Sequence, residues 1–169
     1  MTKKRRNKIL AIDPGTQNMG FAVLNGKKLV HYGVATIRRR KSSREILTAG
    51  REIIRELMDG FRPALLVVEK TLFANNKDST TLNKLTEDII ATGGKKGIKT
   101  LALSANTVRK EICNDGMASK QEVAVKMVER FPELKPYLHS DRRWKEEFFH
   151  NMFDAVALGI AYSGMQLLS

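Results

Sequence analysis

Residues 64 to 68, Ala-Leu-Leu-Val-Val, form an unbroken apolar run with Pro63 before it and Glu69 after it. A strand half exposed to water alternates apolar with polar side chains, so a run with no polar face reads as a central strand buried on both faces. The rest of the chain supplies what such a strand needs. Residues 8 to 13, 20 to 24 and 28 to 37 read as three successive strands, with a hairpin turn at Asn25-Gly26. Ser42 with Glu45 makes a capping box, and the apolar spacing behind it predicts a helix to about Asp59. Leu82, Leu85, Ile89 and Ile90 mark a helix over 79–92 that Gly93-Gly94 stops, and residues 100 to 103 read as a short fifth strand. A helix near 106 to 113 is broken by Asn114-Asp115-Gly116, and Ser119 with Glu122 opens the next, which Pro132 and Pro136 end. The last helix runs roughly from Trp144 to Leu167, apolar nearly all round after Phe148, and should press against the sheet. Strands and helices in this order predict an α/β class with a mixed sheet. At 169 residues the expectation is a single domain, with a basic N-terminal extension at 1–7.

Charge narrows the function. Lysine and arginine number 30 against 18 aspartates and glutamates, and residues 1 to 41 hold 11 basic residues against the single acid Asp13. A polyanionic partner follows from that asymmetry. The lone Cys113 excludes an internal disulfide and suits a reducing compartment. The apolar run at 9–12 is too short for a secretion signal, and no stretch reaches the roughly 18 uncharged apolar residues of a membrane span. No membrane association and a cytoplasmic location are therefore expected.

Pro14 and Gly15 turn the chain away after Asp13, and Gly20 starts the returning strand, where backbone close to a bound ligand would be tolerated. Asp13 and Glu69 each end an apolar strand. Two such strands, parallel and adjacent, would carry both carboxylates to the carboxyl edge, where the sites of open α/β sheets lie. Asp154 stands inside the most apolar helix of the chain, where an unpaired carboxylate would cost several kcal/mol by rough estimate. Singly, each could be held by a structural ion pair, with Lys70 one available base. Together they predict a cluster near −3 that a divalent cation neutralises, and oxygen ligands suit Mg²⁺ or Mn²⁺. His150 and Asn151 lie one turn before Asp154 on its helix face. The imidazole could orient or deprotonate a water, and the amide could supply a neutral oxygen ligand. A metal cluster beside a basic surface fits phosphodiester hydrolysis with two ions about 3.5 to 4 Å apart. Arg38, Arg39, Arg40 and Lys41 should emerge at the same end of the sheet as Asp13, about 10 Å across two strand spacings. Lys3 to Arg6 should lie at the opposite end.

Three segments carry a resemblance. ILAIDPGTQNMGFAVL (9–24), LLVVEKTLF (65–73) and HNMFDAVALGIAY (150–162) resemble the active-site segments of RuvC-type Holliday junction resolvases, in the ribonuclease H-like superfamily. The resemblance implies a five-stranded sheet of order 3-2-1-4-5 with strand 2 antiparallel and helices on both faces. It implies a homodimer that cuts four-way DNA junctions by paired, Mg²⁺- or Mn²⁺-dependent hydrolysis. By position, Asp13, Glu69 and Asp154 match the family's metal-binding, catalytic acids. Arg109 and Lys120, within NTVRKEICNDGMASKQEV (106–123), fall where the family places DNA-contacting bases, and Lys70 joins them as a candidate contact. Phe73 resembles an aromatic that stacks at the junction centre. The family often has an acid or histidine three positions before the last aspartate, where this chain has Asn151. Either His150 takes that role, or Asn151 is a ligand, or an aspartate has been replaced and activity disabled.

Three other readings compete. A YqgF-like RNA-processing nuclease shares the first motif, but the 108–120 segment argues against it. A kinase or ATPase of the actin and hexokinase type would need a second domain. A protein that binds junctions without cutting them stays open through Asn151. No residue pattern names a helicase partner.

Overall fold

The computed structural model describes residues 7–37, 42–70 and 77–166. Five strands form one mixed sheet: β1 (Lys8–Asp13), β2 (Asn18–Asn25), β3 (Lys28–Thr36), β4 (Leu65–Lys70) and β5 (Lys99–Ser104), in the order β3-β2-β1-β4-β5. β2 runs antiparallel to β1 and β3, whereas β4 is parallel to both β1 and β5. The expected strand order and directions are therefore present.

Helices cover both faces, as the apolar run of β4 requires. α1 (Ser43–Phe61) and α2 (Lys77–Lys95) lie on one side; α3 (Ala105–Cys113), α4 (Lys120–Arg130) and α5 (Arg143–Met165) lie on the other. The strands divide their side chains between the layers with a period of two. Leu10 and Ile12 of β1 and Leu66 and Val68 of β4 pack with Ile54, Met58, Leu85 and Ile89 of α1 and α2. Ile9, Ala11, Leu65 and Val67 pack with α5. Both capping boxes are formed, at Ser42 with Glu45 and at Ser119 with Glu122. No helix among the described residues is long and apolar enough to cross a membrane.

Three local expectations are corrected. The hairpin turn is Gly26-Lys27, one residue later than expected, because Asn25 pairs with Lys28 and the left-handed φ of 62° falls on Gly26. Helix α2 does not stop at Gly93-Gly94 but runs through both. A Cβ on Gly93 would stand 2.6 Å from Thr100 Oγ1 and 2.9 Å from Leu66 Cδ2, so this glycine lets the helix lie close on the sheet. The stop is Gly97, with φ 69°, where the N–H groups of Gly97 and Ile98 donate to the carbonyls of Gly94 and Gly93 in a Schellman closure. Finally, Gly20 does not lie open to a ligand: a Cβ there would be 1.8 Å from the carbonyl oxygen of Asn151, so α5 rests directly on β2 at that point.

Candidate active site

The two-residue alternation that builds the core also builds the site. Ile12 pairs with Val68, so the next residues along the parallel strands are Asp13 and Glu69. Their parity is that of Ala11 and Val67, the face that packs against α5. Asp154 comes to the same place from α5, whose height over the sheet is fixed by the contact between Gly20 and the backbone of Asn151. Asp13 is buried, and Glu69 and Asp154 are half-buried.

A small cleft opens over this edge, lined by Glu69, Ala105, Val108, Arg109, Lys120, Val123 and Asp154. The capped first turn of α4 carries Lys120 into it, and Lys120 Nζ donates to Asp154 Oδ2 at 3.1 Å. Arg109 enters from α3 and lowers the cost of ionising Glu69. The base that meets the acids is thus Lys120, not Lys70. Lys70 follows Glu69 on β4, points to the opposite face by parity, and is exposed.

The electrostatics record a shortage of positive charge. Burial pushes Asp13 well above the ordinary carboxylate range; the charges of Glu69 and Asp154 add to the rise, and Lys120 partly opposes it. Glu69 is raised to about 7, first by burial and then by Asp154, with Lys120 and Arg109 opposing. Burial pushes Lys120 downward, but Asp154, Asp13 and Glu69 together hold it above its ordinary value.

His150 and Asn151 behave differently. The amide nitrogen of Asn151 donates back to its own helix, to the carbonyls of Phe148 at 3.2 Å and Glu147 at 3.5 Å. His150 Nε2 is buried and has no hydrogen-bond partner among the described residues. The remaining expected DNA contacts, Arg38, Arg39, Arg40, Lys41 and Phe73, lie outside the described residues, as do Lys3 to Arg6. The last described residue before the first group is Ile37, whose N–H donates to the Gln17 carbonyl at 2.7 Å in the loop that follows Asp13.

The donor set suits a hard divalent cation: three carboxylates, two of them reluctant to ionise without more positive charge nearby. Among the described residues, no three acidic, histidine or cysteine side chains are gathered closely enough to hold an ion. Lys120 takes the counter-ion position against Asp154 instead.

A profile of the family described as crossover junction endodeoxyribonuclease RuvC matches residues 9–160. The chain belongs to the RuvC family. A RuvC from Akkermansia muciniphila is 26% identical over 160 residues, 92% of this chain and 89% of that one. One from Geotalea uraniireducens is 26% identical over 170 residues, 96% and 91% of the two chains. Among solved structures, RuvC of Thermus thermophilus in complex with Holliday junction substrate superposes with a TM-score of 0.73 at 18% identity, covering 96% of each chain. The yeast mitochondrial Holliday junction resolvase Ydc2 gives 0.70 at 14% identity, with 96% of this chain and 80% of that one covered. These structures share the RuvC fold across nearly the whole length of the chain. Sequence reasoning brought Asp13, Glu69 and Asp154 to one edge of the sheet, where this RuvC-family chain has them, but not the ion pair that ties Asp154 to α4.

Proposed function

We propose that this chain is a structure-selective endonuclease that resolves four-way DNA junctions as a homodimer, by paired, metal-dependent phosphodiester hydrolysis. The observation that carries the reading is the convergence of Asp13, Glu69 and Asp154 on one face of the carboxyl edge of a RuvC-family sheet, with two basic side chains beside them.

Asp13, Glu69 and Asp154 would hold Mg²⁺, or Mn²⁺ in its place, as a pair of ions. The metal supplies a lowered water pKa and charge stabilisation of the leaving oxygen. His150 accepts the proton of the attacking water. Its unpartnered Nε2 favours it over Asn151, whose amide is turned back on its own helix. Arg109 and Lys120 neutralise the scissile phosphate, as charge-assisted contacts to phosphate do. Arg38 to Lys41 and Lys70 bind the arms of the junction, and Phe73 stacks at its centre, where one base on an aromatic ring contributes about 1 to 3 kcal/mol. Two coordinated cuts require two sites, which a homodimer supplies by symmetry. The helix α2 is the element we assign to its two-fold contact.

The test is cleavage of a synthetic four-way junction with Mg²⁺ by the wild type and by Asp13→Asn. Paired nicks that vanish in the variant support the nuclease. Tight junction binding with no Asp13-dependent cutting would support the binding protein instead. Sedimentation should show a dimer wherever the cuts are paired, and a monomer under those conditions contradicts the assembly.

A further inference from the structure

We infer that Lys120 is an internal counter-ion that competes with the metal for Asp154, so that junction DNA, by drawing Lys120 onto a phosphate, opens the metal site. The inference rests on the resolvase reading and adds to it an order of assembly: DNA first, then metal.

Geometry carries it. Lys120 Nζ lies 3.1 Å from Asp154 Oδ2, a distance at which the ammonium and a metal ion cannot share that oxygen's face. The two partners differ in freedom: the Lys120 side chain is 52% exposed, while that of Asp154 is 14% exposed and fixed on a helix packed against the sheet. The lysine is therefore the partner that can leave. Its flexible four-carbon stem starts at the first turn of α4, and the capping box at Ser119 holds that turn in place whichever way the ammonium points. The charge count agrees. With all three ionised, as a bound cation requires, the acids facing Lys120 and Arg109 leave about one net negative charge, too little to gather a divalent ion strongly. Withdrawal of Lys120 restores a second unit at the edge where the ion must sit.

The coupling is reciprocal, as any linkage between two ligands must be: DNA strengthens metal binding by the factor by which metal strengthens DNA binding. Such couplings typically span about 5- to 150-fold.

The experiment is calorimetric titration of Mn²⁺ into the full chain. It is done with and without a four-way junction whose linkages around the crossover are phosphorothioates, so that the DNA stays intact. Wild type, Lys120→Met and Lys120→Arg are compared. Without DNA, Lys120→Met should bind Mn²⁺ about 5-fold or more tightly than wild type, although its metal-free melting temperature is lower. Lys120→Arg should restore weak binding. Addition of the junction should tighten Mn²⁺ binding to wild type by a clearly larger factor than to Lys120→Met. A lysine with a merely structural role would lower melting temperature and metal affinity together. The inference is overturned if Lys120→Met binds Mn²⁺ no better than wild type, or if the bound junction leaves the wild-type affinity unchanged. In the second case the resolvase reading is untouched, since Asp13-dependent cutting decides it and not the order in which DNA and metal bind. A chain that binds no junction overturns both.

Discussion

Glu69→Gln should stabilise the metal-free protein at alkaline pH while destroying its activity. In the folded chain Glu69 holds its proton up to about 7, against 4.5 in the unfolded chain, because burial and Asp154 disfavour the ionised form. The folded state thus binds this proton more tightly than the unfolded state does. The stability this confers is complete below about pH 4.5 and is lost as pH rises through about 7. A rise from 4.5 to about 7 corresponds to about 3 kcal/mol on the ionised form. Asp13 shifts in the same direction and steepens the loss. Glutamine cannot ionise, so the variant escapes the penalty. Any constant difference in hydrogen bonding between amide and carboxyl cancels when the two proteins are compared at two pH values. Melting in a chelating buffer at about pH 4 and about pH 8 should therefore show the variant gaining on wild type by up to about 3 kcal/mol across the range. In a chain of this size that is roughly 6 to 12 °C in melting temperature. Saturating Mg²⁺ should return most of the deficit to wild type alone. A difference between the proteins that is the same at both pH values would refute the reasoning.

Other perturbations follow from the same geometry. His150→Ala should slow junction cutting by about 10²- to 10⁴-fold with junction affinity unchanged, as read by single-turnover cleavage beside a binding titration. Gly20→Ala would set a methyl group 1.8 Å from the Asn151 carbonyl oxygen, so α5 must shift. The expected cost is about 1 to 3 kcal/mol in thermal unfolding, with a loss of cutting that exceeds the loss of binding because Asp154 rides on that helix. Neutralising Arg38, Arg39, Arg40 and Lys41 should weaken junction binding more than neutralising Lys3, Lys4, Arg5 and Arg6. The chain leaves Ile37 beside the loop after Asp13, whereas Lys8 enters the sheet at the far end of a strand about 20 Å long. Each phosphate contact removed should reduce the slope of log affinity against log salt by about 0.9, and equal slopes for the two variants would contradict the placement.

What the sequence disclosed was set by how local its causes are. The capping boxes at Ser42 and Ser119 are written within four residues and form as expected. The apolar run of β4 and the two acids at the strand ends follow from strand periodicity, which also fixes the face they share. Gly93 misled because a glycine in a helix reads as a stop, whereas its reason is Thr100 and Leu66 on strands packed beneath it. Gly20 misled in the same way, its neighbour being the backbone of Asn151, which is more than a hundred residues away. The partner of Asp154 was also distant, and Lys70, next in line to Glu69, was the nearer guess. Parity along β4 excludes it, and the capping box at Ser119 was the local sign that Lys120 would be held in position.

The division of β1 and β4 into alternate residues has a consequence for how such a chain can change. Ile9, Ala11 and Asp13 form one series, as do Leu65, Val67 and Glu69, so each acid is the terminal member of the row that anchors α5. A single-residue insertion within either strand would turn its acid toward α1 and α2 and, in the same step, exchange the two halves of the core. An insertion there therefore cannot remove the chemistry and spare the fold. Lineages descended from this architecture can lengthen the segments between strands freely, but the strands themselves must be inherited at fixed length, and the acids can be lost only by substitution.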